Sequence, residues 1–272
     1  MSKILQLLSI LPHRPLEVFD RLTAVADAKI DRLFRRVPSY SVTEWAVAIG
    51  VLSQALGDDL SVYLAEPAIK DIERTILKTT TTMPPDAPFR FTHNGDLRLA
   101  TLAYALCRAT RPNVVLETGT CYGVTTSFIL KALRVNGSGA LHSIDLPPLG
   151  KSADEFVGYA VPNELKDRWT LHRGTSRRIM PKLLHALDRV DFFLHDSLHT
   201  YGNILRECDL AFRHLSRRGV FVVDDVEGNS AFRDWVDRSR PDCAVVIREV
   251  DKPALFGAGF YKCGRVFTNH SA

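Results

Sequence analysis

Nowhere in the 272 residues do two cysteines stand at CxxC spacing, and no apolar stretch is long enough to cross a bilayer. The five cysteines, Cys107, Cys121, Cys208, Cys243 and Cys263, are odd in number and widely scattered. That argues against a zinc ribbon and a disulfide framework, and points to a reducing cytoplasm. Long Lys/Arg runs are absent too, and the formal net charge of +4 is small for this length. The clusters "RLFRR" and "SRR" sit beside apolar residues and read as solvated helix surfaces rather than a nucleic-acid groove. The opening "MSKILQLLSILPHRP" lacks a small-residue cleavage site and is interrupted by Gln and Ser, so it does not read as a signal peptide. No internal repeat or low-complexity tract is visible. A soluble, cytoplasmic protein that binds no nucleic acid is expected.

What is present is an ordinary globular balance, 46% hydrophobic and 24% charged, enough for a sizeable core. Residues 15–78 read as helical. In "PLEVFDRLTAVADAKIDRLF", Phe19, Leu22, Ala26, Ile30 and Leu33 recur at three- and four-residue steps and form one apolar stripe. "SVTEWAVAIGVLSQALG" opens with Ser41 and Glu44 at capping-box spacing and closes on Gly57. A third helix, with a proline inside its first part, runs through "AIKDIERTILK". The threonine- and proline-rich "TTTTMPPDAPF" then reads as a linker, which divides a helical segment, residues 1–89, from a main domain, residues 90–272. The amphipathic stripes of the first segment call for a partner surface: the rim of a substrate pocket, a dimer interface, or both.

Beyond the linker the rhythm changes. Helical "GDLRLATLAYALCRA" is followed by seven apolar runs alternating with helix-length segments: "NVVLET", "ALHSID", "WTLHRG", "VDFFLHD", "GVFVVDD", "CAVVIRE" and "GFYKCGRVF". Such alternation predicts an α/β fold with a mostly parallel seven-stranded sheet and helices on both faces. The last two runs lack a full helix between them, which predicts an antiparallel edge strand.

The first run leads into "LETGTCYGVTT". A dinucleotide fingerprint would read G-x-G-x-x-G, whereas this turn reads E-x-G-x-x-x-G. Gly119 and Gly123 still allow a tight turn and close backbone approach, with Thr120, Tyr122 and Thr125 around them. Glu117, however, would repel a pyrophosphate and suits a cation. S-adenosylmethionine is such a ligand, with an ammonium, a sulfonium and no phosphate. Asp145, ending the second strand, stands where an acid accepts ribose hydroxyls. Gly174, Thr175 and Ser176, after the third, are placed to line the adenine.

The segment from "THNGDLRLATLAYAL" to "VVDDVEGN" resembles a class I S-adenosylmethionine-dependent methyltransferase. It is closest to the metal-dependent small-molecule O-methyltransferases, the group of the catechol and caffeoyl-CoA enzymes. The resemblance spans roughly residues 92–265, about two-thirds of the chain. "LETGTCYGVTT" is similar to the family's first motif and "SIDLPP" to its ribose-binding acid. "FLHDSLHTY" and "VVDDV" resemble its two metal-bearing strand ends. The resemblance implies a Rossmann-like fold, a homodimer and a small-molecule hydroxyl acceptor, a sugar or another natural product.

Asp196 follows the fourth strand, and Asp224 and Asp225 the fifth. Three carboxylates converging at adjacent strand ends would repel one another without a cation, and hard oxygen ligands suit Mg²⁺ or another divalent ion. Where this chain has Asp225, the family usually has Asn. Three residues after Asp196 the catechol enzymes carry a catalytic lysine, so the resemblance hands the general-base role to His199, with Asp196 beside it in the reacting centre. His142 is a second base candidate, and His195 is expected to pack near the adenine. An iron site of His195, Asp196 and His199 is disfavoured, because adjacent strand residues point to opposite faces. Tyr122, Tyr201, Phe232 and Trp235 could close the pocket, but aromatic residues at such positions are more often core or helix packing. Two other readings stand beside the transferase: an NAD(P)-dependent oxidoreductase, disfavoured by Glu117 and the missing third glycine, and a non-catalytic methyltransferase-like binding partner.

Overall fold

The computed structural model describes residues 3–34, 39–84, 87–88, 95–150, 153–250 and 252–262. The expected boundary near residue 89 and Cys263 lie outside them. Two helices open the chain, α1 (Lys3–Ile10) and α2 (Pro15–Leu33), followed by α3 (Trp45–Leu56), α4 (Leu60–Leu64), α5 (Pro67–Thr81) and α6 (Leu97–Thr110). From there strands and helices alternate: β1 (Val114–Thr118), α7 (Val124–Asn136), β2 (Ala140–Asp145), α8 (Ala153–Phe156), β3 (Trp169–Arg173) and α9 (Ser176–Leu187). The chain continues with β4 (Val190–His195), α10 (Tyr201–His214), β5 (Leu215–Val223), α11 (Ala231–Ser239), β6 (Cys243–Arg248) and β7 (Leu255–Phe260).

The seven strands lie in the order β3-β2-β1-β4-β5-β7-β6. β1 to β5 pair in parallel, and the antiparallel strand anticipated from the missing helix is β7, inserted between β5 and β6. The run "GFYKCGRVF" therefore supplies only the end of a strand that starts at Leu255. One face of the sheet carries Val115, Leu141, Phe192 and Val222 against α3, α5, α6 and α7; the other carries Leu116, Ile144, Phe193 and Val223 against α9, α10 and α11. This alternation of side-chain direction along each strand is what lets near-continuous apolar runs cover both layers.

Three N-terminal readings change in detail. Thr43 bridges Ile247 on β6, which keeps the chain extended to that point, so α3 starts later than a cap at Ser41 would allow. Glu44 itself caps the helix, its carboxylate accepting from the backbone N–H of Ala46 at 2.8 Å. Pro67 is the first residue of α5 rather than an internal one, a position where its missing N–H leaves no bond unmade. In α2 the apolar stripe is present but faces outward: Phe19 is 61% exposed and Leu33 79%. The helix docks instead through its acidic face.

Candidate active site

Strand order reverses between β1 and β4, and the carboxyl ends there are where open α/β sheets hold ligands. A cavity of about 800 Å³ lies at this point. It is lined by Gly119, Thr120 and Cys121 of the β1–α7 turn, Asp145 at the end of β2, Gly174 to Ser176 after β3, and Asp196 to His199 after β4. Asp224 and Asp225 after β5 and residues of α1 and α2 complete the wall.

The glycine turn is shaped by close approach. Gly119 has φ +86°, and a Cβ there would stand 1.8 Å from the carbonyl oxygen of Asp196. Only glycine fits both the left-handed conformation and that contact. Asp145 accepts from the backbone N–H of Thr120 at 2.7 Å and of Cys121 at 3.0 Å, so one of its oxygens already holds the turn in place. Burial pushes its pKa up against those two bonds. Thr120 Oγ1 is buried without a hydrogen-bond partner and borders the cavity.

Glu117 sits under this turn, 1% exposed, and Ser143 Oγ and Thr126 Oγ1 donate to its carboxylate at 2.6 and 2.8 Å. Burial, then the nearby Asp196 and Asp145, outweigh those two bonds and push its pKa to about 8.

A tight polar network backs β4. Glu207 of α10, wholly buried, takes hydrogen bonds from Thr118 Oγ1 (2.6 Å), Ser197 Oγ (2.8 Å) and Asn203 Nδ2 (2.9 Å) and stands 2.7 Å from His195 Nδ1. These partners override burial and bring its pKa down to about 2.

At the reacting edge His199 lies between two acids, with Nδ1 2.7 Å from Asp225 Oδ2 and Nε2 3.5 Å from Asp196 Oδ1. Asp225 adopts the left-handed conformation, φ +48°, which short acidic side chains tolerate. Burial lowers the imidazole pKa, but Asp196 and Asp225 outweigh it and hold it well above the ordinary value. His199 is therefore not the free neutral imidazole expected from its sequence position. It is half of an ion pair, with Nε2 left without a hydrogen bond.

The acids are grouped differently from expectation. Ligand atoms of Asp224, Asp225 and Glu249 all lie within 4.8 Å of one another. Glu249, just past β6, joins Asp224 and Asp225 in this group, and the Asp196 carboxylate stands 3.5 Å from His199 Nε2. Burial and mutual repulsion push Asp224 to about 8 and Glu249 to about 9.

Residues 116–226 match the family model described as a methyltransferase domain. Among solved structures, an O-methyltransferase from Bacillus cereus in complex with S-adenosylhomocysteine superposes with a TM-score of 0.52 at 14% identity, covering 72% of this chain and 91% of that one. The O-methyltransferase TomG from Streptomyces achromogenes, involved in tomaymycin synthesis and solved with S-adenosylmethionine, gives 0.52 at 16% identity, over 72% and 90%. This is the Rossmann-like methyltransferase fold. No curated protein matches the sequence.

On the methyltransferase fold the foreseen residues fall into two groups. Gly119, Thr120, Asp145, Thr175, Ser176, Asp196, His199, Asp224 and Asp225 line the cavity. Glu117, Tyr122, Gly123, Thr125 and His195 do not: Glu117 and His195 support the floor from behind, and Tyr122 packs on Phe156. His142 is removed from the centre, because it sits inside β2 with Nδ1 3.1 Å from His172 Nε2. Phe232 and Trp235 pack in the core beside Phe221. Not foreseen were Glu249, Lys252 and the α2 side chains. Glu249 had a usable signal, since "CAVVIRE" ends in an acid like the other site strands.

Proposed function

We propose that the chain is an S-adenosylmethionine-dependent O-methyltransferase acting on a hydroxyl of a small molecule, a sugar or another natural product. One observation supports this most: a single cavity joins the glycine turn, above buried Glu117, to the Asp196–His199–Asp225 edge. A sulfonium near Glu117 answers an acid that burial otherwise keeps protonated.

In this reading Asp145 and the β1–α7 turn orient the donor. Once the imidazolium has lost its Nε2 proton, His199 keeps the Nδ1 proton donated to Asp225 and takes the acceptor hydroxyl's proton at Nε2. The oxygen attacks the methyl carbon in line, the carbon–sulfur bond breaks, and sulfur leaves as a neutral thioether. Alignment supplies much of the rate.

The acidic set fits a hard divalent ion such as Mg²⁺: its donors are all oxygen, and Asp224 Oδ1 and Glu249 Oε1 are buried without hydrogen-bond partners. Asp224, Asp225 and Glu249 would hold it, with Asp196 alongside. Once bound, such an ion lowers the pKa of a coordinated hydroxyl.

Helices α1 and α2 are, in this proposal, the wall of the acceptor pocket and, through their outer apolar face, a homodimer contact. Isothermal titration with S-adenosylmethionine tests the central claim. Saturable binding is expected; no heat at millimolar donor, with NAD binding instead, would replace the transferase with an oxidoreductase.

A further inference from the structure

The turn between β6 and β7 sends one lysine into the acidic cluster. Lys252 Nζ lies 3.3 Å from Glu249 Oε2 and 3.9 Å from Asp225 Oδ1, and its side chain lines the same cavity as Asp196, His199 and Asp224. The Glu249 side chain is fully buried, and the ammonium stands beside its Oε2. Both oxygens of Asp225 are consequently engaged, Oδ1 with the ammonium and Oδ2 with the His199 imidazole.

Two of the three side chains spaced to ligate a metal thus already face a cation. A divalent ion bonded to Asp225 and Glu249 would stand about 2 Å from their oxygens, inside the space where the ammonium now balances them. Two cations a few ångströms apart in a buried site repel strongly. Of the two groups on Asp225, His199 holds at 2.7 Å, whereas Lys252 reaches in from a turn on a flexible stem at longer range.

We propose that Lys252 is the resident cation of the Asp224–Asp225–Glu249 cluster, and that a divalent ion enters only by displacing it. The β6–β7 turn then sets the metal affinity of the site, and metal loading and withdrawal of Lys252 are one event. This deepens the methyltransferase reading and rests on it for its catalytic meaning, but the competition itself is independent of turnover.

The test is a Mn²⁺ titration of the full chain followed by electron paramagnetic resonance, for the wild type and for Lys252→Met and Lys252→Arg. Lys252→Met is expected to bind Mn²⁺ at least about ten-fold more tightly, as removal of a competing like charge requires, while Lys252→Arg stays as weak as wild type. Equal affinity in wild type and Lys252→Met overturns the proposal. Should the variant not fold, wild-type crystals soaked in MnCl₂ decide: metal in the cluster with Lys252 withdrawn supports displacement, and metal beside an unmoved Lys252 ends it. Donor binding is measured separately by calorimetry. Its absence alongside a clear Mn²⁺ shift would remove the methyl-transfer reading and leave the lysine assignment standing.

Discussion

At the scale of single residues, His199 and Glu207 make the sharpest claims. A general base must be unprotonated, and Asp196 and Asp225 hold His199 well above the ordinary histidine value. The rate should therefore rise with pH through a limb above the usual histidine range. Asp225→Asn, which keeps the tolerance for the left-handed conformation but removes one charge, should move that limb to lower pH; an unmoved limb in a pH–rate profile would take the base role from His199. His199→Ala should lower kcat about 10²-fold or more with donor affinity unchanged, read by steady-state kinetics beside calorimetry. Glu207 acts on stability instead. Its folded pKa is about 2 against an ordinary 4.5, so its contribution is complete above pH 4.5 and is lost as pH falls through about 2. Truncating it takes a buried acceptor from His195, Thr118, Ser197 and Asn203, and Glu207→Ala should cost about 3–5 kcal/mol in urea unfolding. Asp145, Asp196 and Asp224 were legible because each follows a run of apolar residues, the local mark of a strand end. Glu207 was not, for a lone acid on a helix carries no such mark, and its partners come from β1, β4 and the loop beyond β4.

At the scale of elements, the β1–α7 turn and α2 contrast. The turn was legible in the sequence because its geometry is local: Gly119 and Gly123 both have φ +86°, a conformation that favours glycine. Gly119→Ala combines a strained φ with a Cβ 1.8 Å from Asp196 O, so it should destabilise the protein by more than about 1 kcal/mol and weaken donor binding, as melting and calorimetry would show. The stripe of α2 is legible as apolar, whereas its direction is left open by the sequence. Three arginines around the end of β3 attract its other face. Arg173 pairs with Glu17, Arg178 grips Asp20 through Nη2 at 2.7 Å and Nε at 2.9 Å, and Arg177 reaches Asp27. Asp31 then accepts from the first backbone N–H of α10. Charge pairing between segments about 150 residues apart leaves no periodic trace. Because α2 borders the cavity and is held there by ion pairs, donor binding should weaken in high salt, which screens the exposed pairs, and in Asp20→Ala, which removes a buried partner of Arg178 and lowers the melting temperature as well. Salt-independent affinity would mean that α2 does not bear on the donor.

At the scale of the whole molecule, the parallel core followed from alternation of strands and helices, whereas the place of β7 did not. A strand of small residues such as "LFGAGF" can pair at an edge or within a sheet, and the choice falls to its packing. Gly257 and Gly259 leave room for the rings of Phe232 and Phe221, where a Cβ would come within 2.2 and 2.5 Å. The same global view bears on assembly. Of the 19 residues of α2 only Val18 and Asp20 are buried, and Phe19, Leu22, Val25 and Ile30 stand more than half exposed beside Ile4, Leu5 and Leu8 of α1. A contiguous apolar face of this kind marks an interaction surface when it is large. A second copy placing its own α1–α2 on it would make an isologous contact that also covers Leu22 and Val25, which border the cavity. Light scattering should then give a dimer for the wild type and a monomer for Phe19→Glu combined with Ile30→Glu, both with intact donor affinity. A wild-type monomer at tens of micromolar would return the face to solvent, and a dimer that survives both charges would place the contact elsewhere.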